Sequence, residues 1–361
     1  MLAGPYCGML LADLGAEVIK VETGSGDIAR STGHHTVDGH NVYFASLNRN
    51  KRSVLLDLTD AASHSQFEAL AATSDALITN LRPGAIRKLG LTYDQLRRIN
   101  PDLVCVALTG FGLNGPYSDF PAYDYIIQAM TGVMMLTGDP DGPPVRAGYS
   151  VVDNSGGMMA AIGLLAQLVG RKGGQVDIAL YDTLLSQLNY LAGAYLNAGE
   201  VPRRHPNGAH PIFVPAQIFR TGDGHVALFI THDRFWQTFA GAVDRPDWLR
   251  DARFATMAAR GEHREVVIAS IQAQLLRRGS GEWVALLQPL GIVIAEIQGL
   301  QDALASAHAA AREMVISIET SGGQLRLVAN PIKVGGFQET YRAPPRLGED
   351  AALVDRPHRG R

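Results

Sequence analysis

Asp153 is the residue on which the chemistry of this 361-residue chain centres. It follows Tyr149-Ser150-Val151-Val152 and precedes Asn154-Ser155-Gly156-Gly157, ahead of a nearly all-apolar run at 158–169. That order predicts a short apolar strand end, a lone carboxylate, and then a buried helix. Two readings of the carboxylate stay open. Asp is a favoured helix N-cap, because its side chain accepts an otherwise unpaired N–H of the first turn. The other reading is a carboxylate nucleophile held against a helix N-terminus, with glycines letting a ligand approach the backbone.

Other reactive residue types form weaker patterns. Cys7 and Cys105 make no disulfide framework and read as small buried side chains. His205 and His210 lack metal-ligand spacing and read as loop surface residues; no metal site is expected. Gly110-Phe111-Gly112-Leu113-Asn114-Gly115-Pro116 is glycine-rich but has neither the GxGxxG nor the GK[ST] element. A dinucleotide fingerprint and a P-loop are therefore unsupported. The basic cluster Asn48-Arg49-Asn50-Lys51-Arg52-Ser53 reads either as a solvated turn or as a phosphate contact. The formal net charge of −3 implies no nucleic acid partner. No apolar run reaches membrane-span length and nothing resembles a signal peptide, so a soluble cytoplasmic protein is expected.

The elements that must position these residues alternate. Strands are expected at 17–22, 54–58, 76–80, 103–108 and 173–180. Helices are expected at 7–14, 61–73, 93–99, 126–135 and 181–196, with another starting near Pro83. Alternation of this kind means a parallel sheet covered on both faces. Its ligand positions lie at strand ends, here Glu22, Asn80 and Thr109. The chain opens on what reads as a loop, Ala3-Gly4-Pro5-Tyr6, which suggests a first strand upstream of the start. The expected division is a large Rossmann-like domain at 1–198, a linker at 199–211, a smaller α+β domain at 212–305, and a return segment at 306–361 completing the large domain. A hairpin is expected around Thr221-Gly222-Asp223-Gly224. The tail from Asp355 is polar and reads as mobile.

Taken together and in order, several stretches resemble the family III CoA-transferases, the group of formyl-CoA transferase and the carnitine and bile-acid CoA-transferases. They are Ala3-Gly4-Pro5-Tyr6, Leu11 to Ala16 with Val18-Ile19-Lys20-Val21-Glu22, residues 48–53, Gly110-Phe111-Gly112 with Gly115-Pro116, Tyr123-Asp124, Asp153 with its helix, and Gly335, Phe337 and Leu347-Gly348-Glu349. The resemblance implies a CoA thioester as substrate with no permanently bound cofactor, a carboxylic acid as second substrate, and Asp153 as nucleophile. It also implies a Rossmann-like domain built from both chain ends, a small domain, and an interlocked homodimer. Oxyanions formed in the reaction would meet backbone N–H groups near Gly156 and Gly157. CoA contacts are expected from Leu2, Ala3, Thr23, Asn80, Lys88 and Arg52, with Lys88 where formyl-CoA transferase has an arginine. Tyr43, Tyr123 and Asp124 are expected to line the acyl pocket.

The same family contains α-methylacyl-CoA racemase, which needs two acid/base groups. Its His-Asp pair reads Tyr123-Asp124 here, and a tyrosine of ordinary pKa near 10 is a poor base at neutral pH. Transferase is the preferred reading; racemase, or a CoA-ester-binding protein without turnover, is the alternative. The glycine run that covers the active site of formyl-CoA transferase has only Pro206-Asn207-Gly208-Ala209 as counterpart. That leaves room for a larger acyl group, which a helix carrying Met130, Met134 and Met135 could serve.

Overall fold

A computed structural model describes residues 1–354; the tail from Asp355 lies outside the described residues. The chain divides into two compact units. The first comprises Met1–Gly132, Ala147–Gly193 and the stretch from Leu304 onward; the second comprises Val133–Arg146 and Ala194–Ala303.

The first unit is a mixed α/β body with parallel sheets. Ile19–Glu22 pairs in parallel with Arg52–Leu55, Ile19 opposite Arg52 and Glu22 opposite Leu55. Ala76–Thr79, Val104–Thr109 and Gly174–Ala179 form a second parallel sheet with the Val104–Thr109 strand central. All six residues of that central strand are buried, as a strand covered on both faces requires. The Ala61–Thr73 helix has the bounds its sequence predicts, with Asp60 accepting from Ser63 N–H at its N-terminus. Val315–Thr320 and Gly323–Val328 add an antiparallel hairpin whose first strand escaped the sequence reading.

Four local expectations need correction. Ala3-Gly4-Pro5-Tyr6 is not a loop but the start of the Ala3–Asp13 helix. Leu2 carbonyl accepts Tyr6 N–H at 2.8 Å, and Pro5 falls in the first turn, where a missing N–H costs nothing. Residues 149–152 form no strand; the helix carrying Asp153 runs Val151–Val169. It is also not wholly buried: Met158, Met159, Ile162, Leu165 and Val169 are exposed. The expected helix at 126–135 stops at Met130, where Gly132 takes a left-handed φ of 85°. Met134 and Met135 then fall in the second unit, apart from Met130. The helix expected at 181–196 is two, Leu180–Gln187 and Asn189–Ala198.

The basic cluster is not a solvated turn. Arg49, Asn50 and Lys51 are all buried. Arg49 donates to Asp13 from Nε (3.1 Å) and Nη2 (2.7 Å) and to Val328 carbonyl from Nη1 (2.8 Å). Asn50 Nδ2 also donates to Asp13 (2.8 Å). Asp13 thereby ties the first helix to the return segment. Glu22 and Thr109, expected at ligand positions, are likewise used internally. Glu22 accepts from Arg30 (2.7 Å) and Ser53 (2.6 Å), and Thr109 Oγ1 accepts Gly112 N–H (2.9 Å).

The second unit carries an antiparallel sheet in the order Val293–Glu296, His225–Phe229, Ala216–Arg220. The strand at 293–296 was not expected; the hairpin at 221–224 was. Its core stacks Trp236 on Trp248 (5.4 Å between centroids) with Phe239 and Phe254 beside them. Among the described residues no helix is long and apolar enough to cross a membrane.

Candidate active site

The Val151–Val169 helix brings Asp153 into place, and three glycines set how closely that helix can pack. A Cβ at Gly156 would lie 2.3 Å from Leu180 Cδ2, one at Gly157 2.8 Å from Ala3 carbonyl oxygen, and one at Gly163 2.8 Å from Val176 Cγ1. Only hydrogen fits at these contacts. The glycines therefore let the Asp153 helix press against the first helix and the parallel sheet. They do not supply oxyanion donors. In a helix that begins at Val151, the N–H groups of Gly156 and Gly157 point at the carbonyls of Val152 and Asp153.

The free N–H groups of the first turn are also occupied. Val151 N–H donates to Tyr149 carbonyl (2.9 Å) and Asn154 N–H to Ser150 carbonyl (3.1 Å). Val152 N–H (2.8 Å) and Asp153 N–H (3.2 Å) both donate to Asp124 Oδ2. Asp124 thus caps this helix from another element, so Asp153 is not its own N-cap. Asp124 Oδ1 accepts from Gln128 Nε2 (2.6 Å), and Gln128 Oε1 accepts Ala147 N–H (2.8 Å). Gln128 is fully buried. The Asp124–Met130 helix and the segment 147–153 are locked together behind Asp153.

Asp153 itself is half-buried and makes no ion pair with any Lys or Arg among the described residues. Burial, followed by the charge of Asp124, pushes its carboxyl up to about 6. At pH 7 it remains about nine-tenths ionised but is far more basic than an ordinary carboxylate. Tyr43 lies within reach of the same field: burial first, then Asp153 and Asp27, raise its phenol. Asp27 is held by Lys20 at 2.7 Å.

The expected CoA residues separate into two groups. Ala3, buried, and Leu2, half-buried, open the first helix. Ala3 carbonyl faces Gly157, one turn beyond Asp153 on the same side of its helix. Asn80 lies against the same helix start, its Cγ 3.0 Å from where a Gly4 Cβ would stand. It follows Thr79 at the carboxyl end of its strand, and exposed Thr23 follows Glu22 likewise. Carboxyl ends of parallel strands are where such sheets take ligands. Lys88 is exposed at the last position of the Pro83–Lys88 helix.

Arg52 departs from that group. It opens its strand opposite Ile19, at the other end of the sheet from Thr23, and is paired with Glu17 (3.1 Å) and Asp350 (3.5 Å). Lys51 is unavailable to phosphates as well. Its Nζ donates to Pro5 carbonyl (2.7 Å), Leu47 carbonyl (2.8 Å) and Asn48 Oδ1 (2.8 Å), which uses all three of its N–H bonds. Burial first, and Lys20 second, hold its pKa well below the usual lysine range. Lys51 anchors the turn that presents Ala3. Of the acyl-pocket residues, Tyr123 is 71% exposed, Asp124 is buried behind the helix start, and Tyr43 is half-buried. His205 and His210 are half-buried, not surface residues. Among the described residues no cluster of three or more His, Cys, Asp or Glu side chains could hold a metal.

Asp124, Gln128 and Lys51 were not assigned these roles from sequence. The mixture of amides and cations at 48–51 was the available signal for Lys51; Asp124 and Gln128 pair at i,i+4 on one helix, a spacing visible in the sequence, whereas their bonds to Val152, Asp153 and Ala147 depend on tertiary contact.

The model of CoA-transferase family III matches residues 1–351. The chain is 32% identical to acetyl-CoA:oxalate CoA-transferase of Acetobacter aceti, covering 98% of this chain and 92% of that one. It is 33% identical to succinate–glutarate CoA-transferase of Agrobacterium fabrum, covering 98% and 92%. It is 34% identical to succinyl-CoA:mesaconate CoA-transferase of Haloarcula hispanica, covering 98% and 91%. A CAIB/BAIF family protein from Brucella suis superposes with a TM-score of 0.85 at 32% identity, over 98% of this chain and 95% of that one. Rv3272 from M. tuberculosis superposes with a TM-score of 0.88 at 30% identity, over 98% and 95%. The chain belongs to CoA-transferase family III and is an acyl-CoA:carboxylate CoA-transferase of that family.

Proposed function

We propose that CoA is carried between the two acids on Asp153. One Asp153 oxygen attacks the acyl-CoA carbonyl carbon, the C–S bond breaks, and CoA leaves as thiolate. The product is a mixed anhydride between the acyl group and Asp153. The thiolate then attacks the Asp153 carbonyl carbon, and the donor acid leaves as a carboxylate. An aspartyl-CoA thioester remains. The incoming carboxylate attacks that thioester and expels the thiolate, which attacks the new acyl carbon to give the product acyl-CoA and free Asp153. No proton is gained or lost over the cycle.

The observation that carries this reading is a carboxylate with no Lys or Arg paired to it among the described residues, whose basicity burial and then Asp124 raise against the N-terminal ammonium. Raised basicity favours attack, and a carboxylate at about 6 still needs no general base at neutral pH. Leu2, Ala3, Thr23 and Asn80 are taken as the CoA-facing group, with Lys88 as a point charge beyond them. Tyr43 and Tyr123 are taken to line the acyl path. The relatives named for oxalate, glutarate and mesaconate support a dicarboxylic acid as second substrate. The exposed apolar side chains of the Asp153 helix, among them Ile162 and Leu165, support burial against a second copy in an interlocked homodimer.

Asp153→Asn tests the reading. Exchange of labelled succinate into succinyl-CoA, or of another acid drawn from a panel, should fall by roughly four orders of magnitude or more. Undiminished exchange in that variant removes the proposal.

A further inference from the structure

The second unit holds a cationic cluster that the transfer chemistry does not use. Arg264 opens the Arg264–Leu275 helix, and its Nη2 donates to the carbonyls of His210 (3.1 Å) and Pro211 (2.9 Å). Those bonds fix the guanidinium plane. Its Nη1 is buried and has no hydrogen-bond partner among the described residues. An unmade hydrogen bond of this kind costs about 1–3 kcal/mol, more for a charged group. Natural cores rarely keep such a group without an acceptor.

Among the described residues, no carboxylate is among the charges that shift His205, His210 or Arg264. His205 is lowered by burial first, and then by Arg264, Arg203 and His210, all of them basic. His210 is lowered by burial and then by Arg264. The His210 ring is fixed: Ile212 N–H (3.1 Å) and Phe213 N–H (3.3 Å) donate to its Nδ1, and the rings of Phe213 (4.9 Å) and Phe229 (5.9 Å) pack on it. Burial lowers Arg264, with no carboxylate offsetting it. Like charges gathered around a rigid, unsatisfied donor are the expected design of an anion site.

We propose that Arg264, with His205 and Arg203, forms a binding site for a small oxyanion, a carboxylate or a phosphate, which accepts the hydrogen bond that Arg264 Nη1 lacks. Both chemistries reach this enzyme, one as its free acid and the other on CoA. The site does not depend on the role of Asp153.

The test is histidine-ring NMR on the full chain, with the His205 signal identified by its loss in His205→Gln. Sodium succinate and inorganic phosphate are titrated separately at constant ionic strength, with sodium chloride as control. A bound anion should raise the His205 pKa by about one unit, saturably. Arg264→Gln should abolish the response. Because that change also frees the 210–211 carbonyls, Arg203→Gln is the second variant; it should weaken the response several-fold and leave the fold intact. Saturation by succinate at the lower concentration identifies the carboxylate as ligand, and by phosphate the phosphate. Silence to both anions, an equal response to chloride, or a wild-type response in both arginine variants overturns the site.

Discussion

Two carboxylates, Asp13 at the end of the first helix and half-buried Asp153 on the helix packed against it, are treated in opposite ways. Asp13 is fully enclosed and accepts two bonds from Arg49 and one from Asn50, with Asn330 close by at 3.4 Å. Among the described residues no Lys or Arg pairs with Asp153, which faces a second carboxylate, Asp124, across the helix start, with the N-terminal ammonium acting on it in the opposite sense. The first arrangement compensates every charge and holds the return segment in place. The second leaves a charge uncompensated, at a cost in stability, and that is how reactive groups differ from structural ones.

The comparison can be broken first at Asp13. Arg49→Met leaves a buried negative charge unpaired and should destabilise the protein by about 3–5 kcal/mol in denaturant titration. Adding Asp13→Asn should recover much of that loss. Without recovery, the pair is not what holds the return segment.

At Asp153 the sign reverses. Its folded pKa of about 6 exceeds its ordinary 3.8, so the folded state binds the proton more tightly. Stability contributed by protonation is present at low pH and is lost as pH rises through about 4 to 6. At pH 7 the charged form costs on the order of 3 kcal/mol. Asp153→Asn should therefore raise the melting temperature at pH 7 and have little effect at pH 4. A less stable Asn variant at pH 7 would contradict the uncompensated charge.

The smallest effect is expected at Asp124. In the wild type, the rate of transfer should fall as pH drops below about 6, following Asp153. Asp124→Asn removes the negative neighbour, and its remaining carbonyl oxygen can still accept from the helix start. The acid limb of the pH–rate profile should move down by about one unit. An unmoved limb, with only a uniform loss of rate, would make Asp124 a structural cap alone.

Much of this frame was legible in the chain because local signals agreed with it. The helix expected at 61–73 keeps those bounds and is capped locally by Asp60, and Thr221-Gly222-Asp223-Gly224 marked the hairpin formed by Ala216–Arg220 and His225–Phe229. Errors came where distant residues decide. The helix of Asp153 starts earlier than its glycines suggested, because Asp124 supplies the cap from elsewhere. Lys51 resembles a surface cation until its three acceptors are brought around it. Arg52 separates from Thr23 only once strand register puts them at opposite ends of a sheet. Gly156 and Gly157 looked like oxyanion donors, but the crowding of Leu180 and Ala3 against them reveals a packing role.

The central claim is tested most directly by trapping. The protein is turned over with an acyl-CoA in the presence of hydroxylamine, digested, and its peptides mapped by mass spectrometry. The account predicts a hydroxamate on Asp153, formed only when acyl-CoA is present. Steady turnover with Asp153 unmodified, or a hydroxamate on another carboxylate, would contradict it.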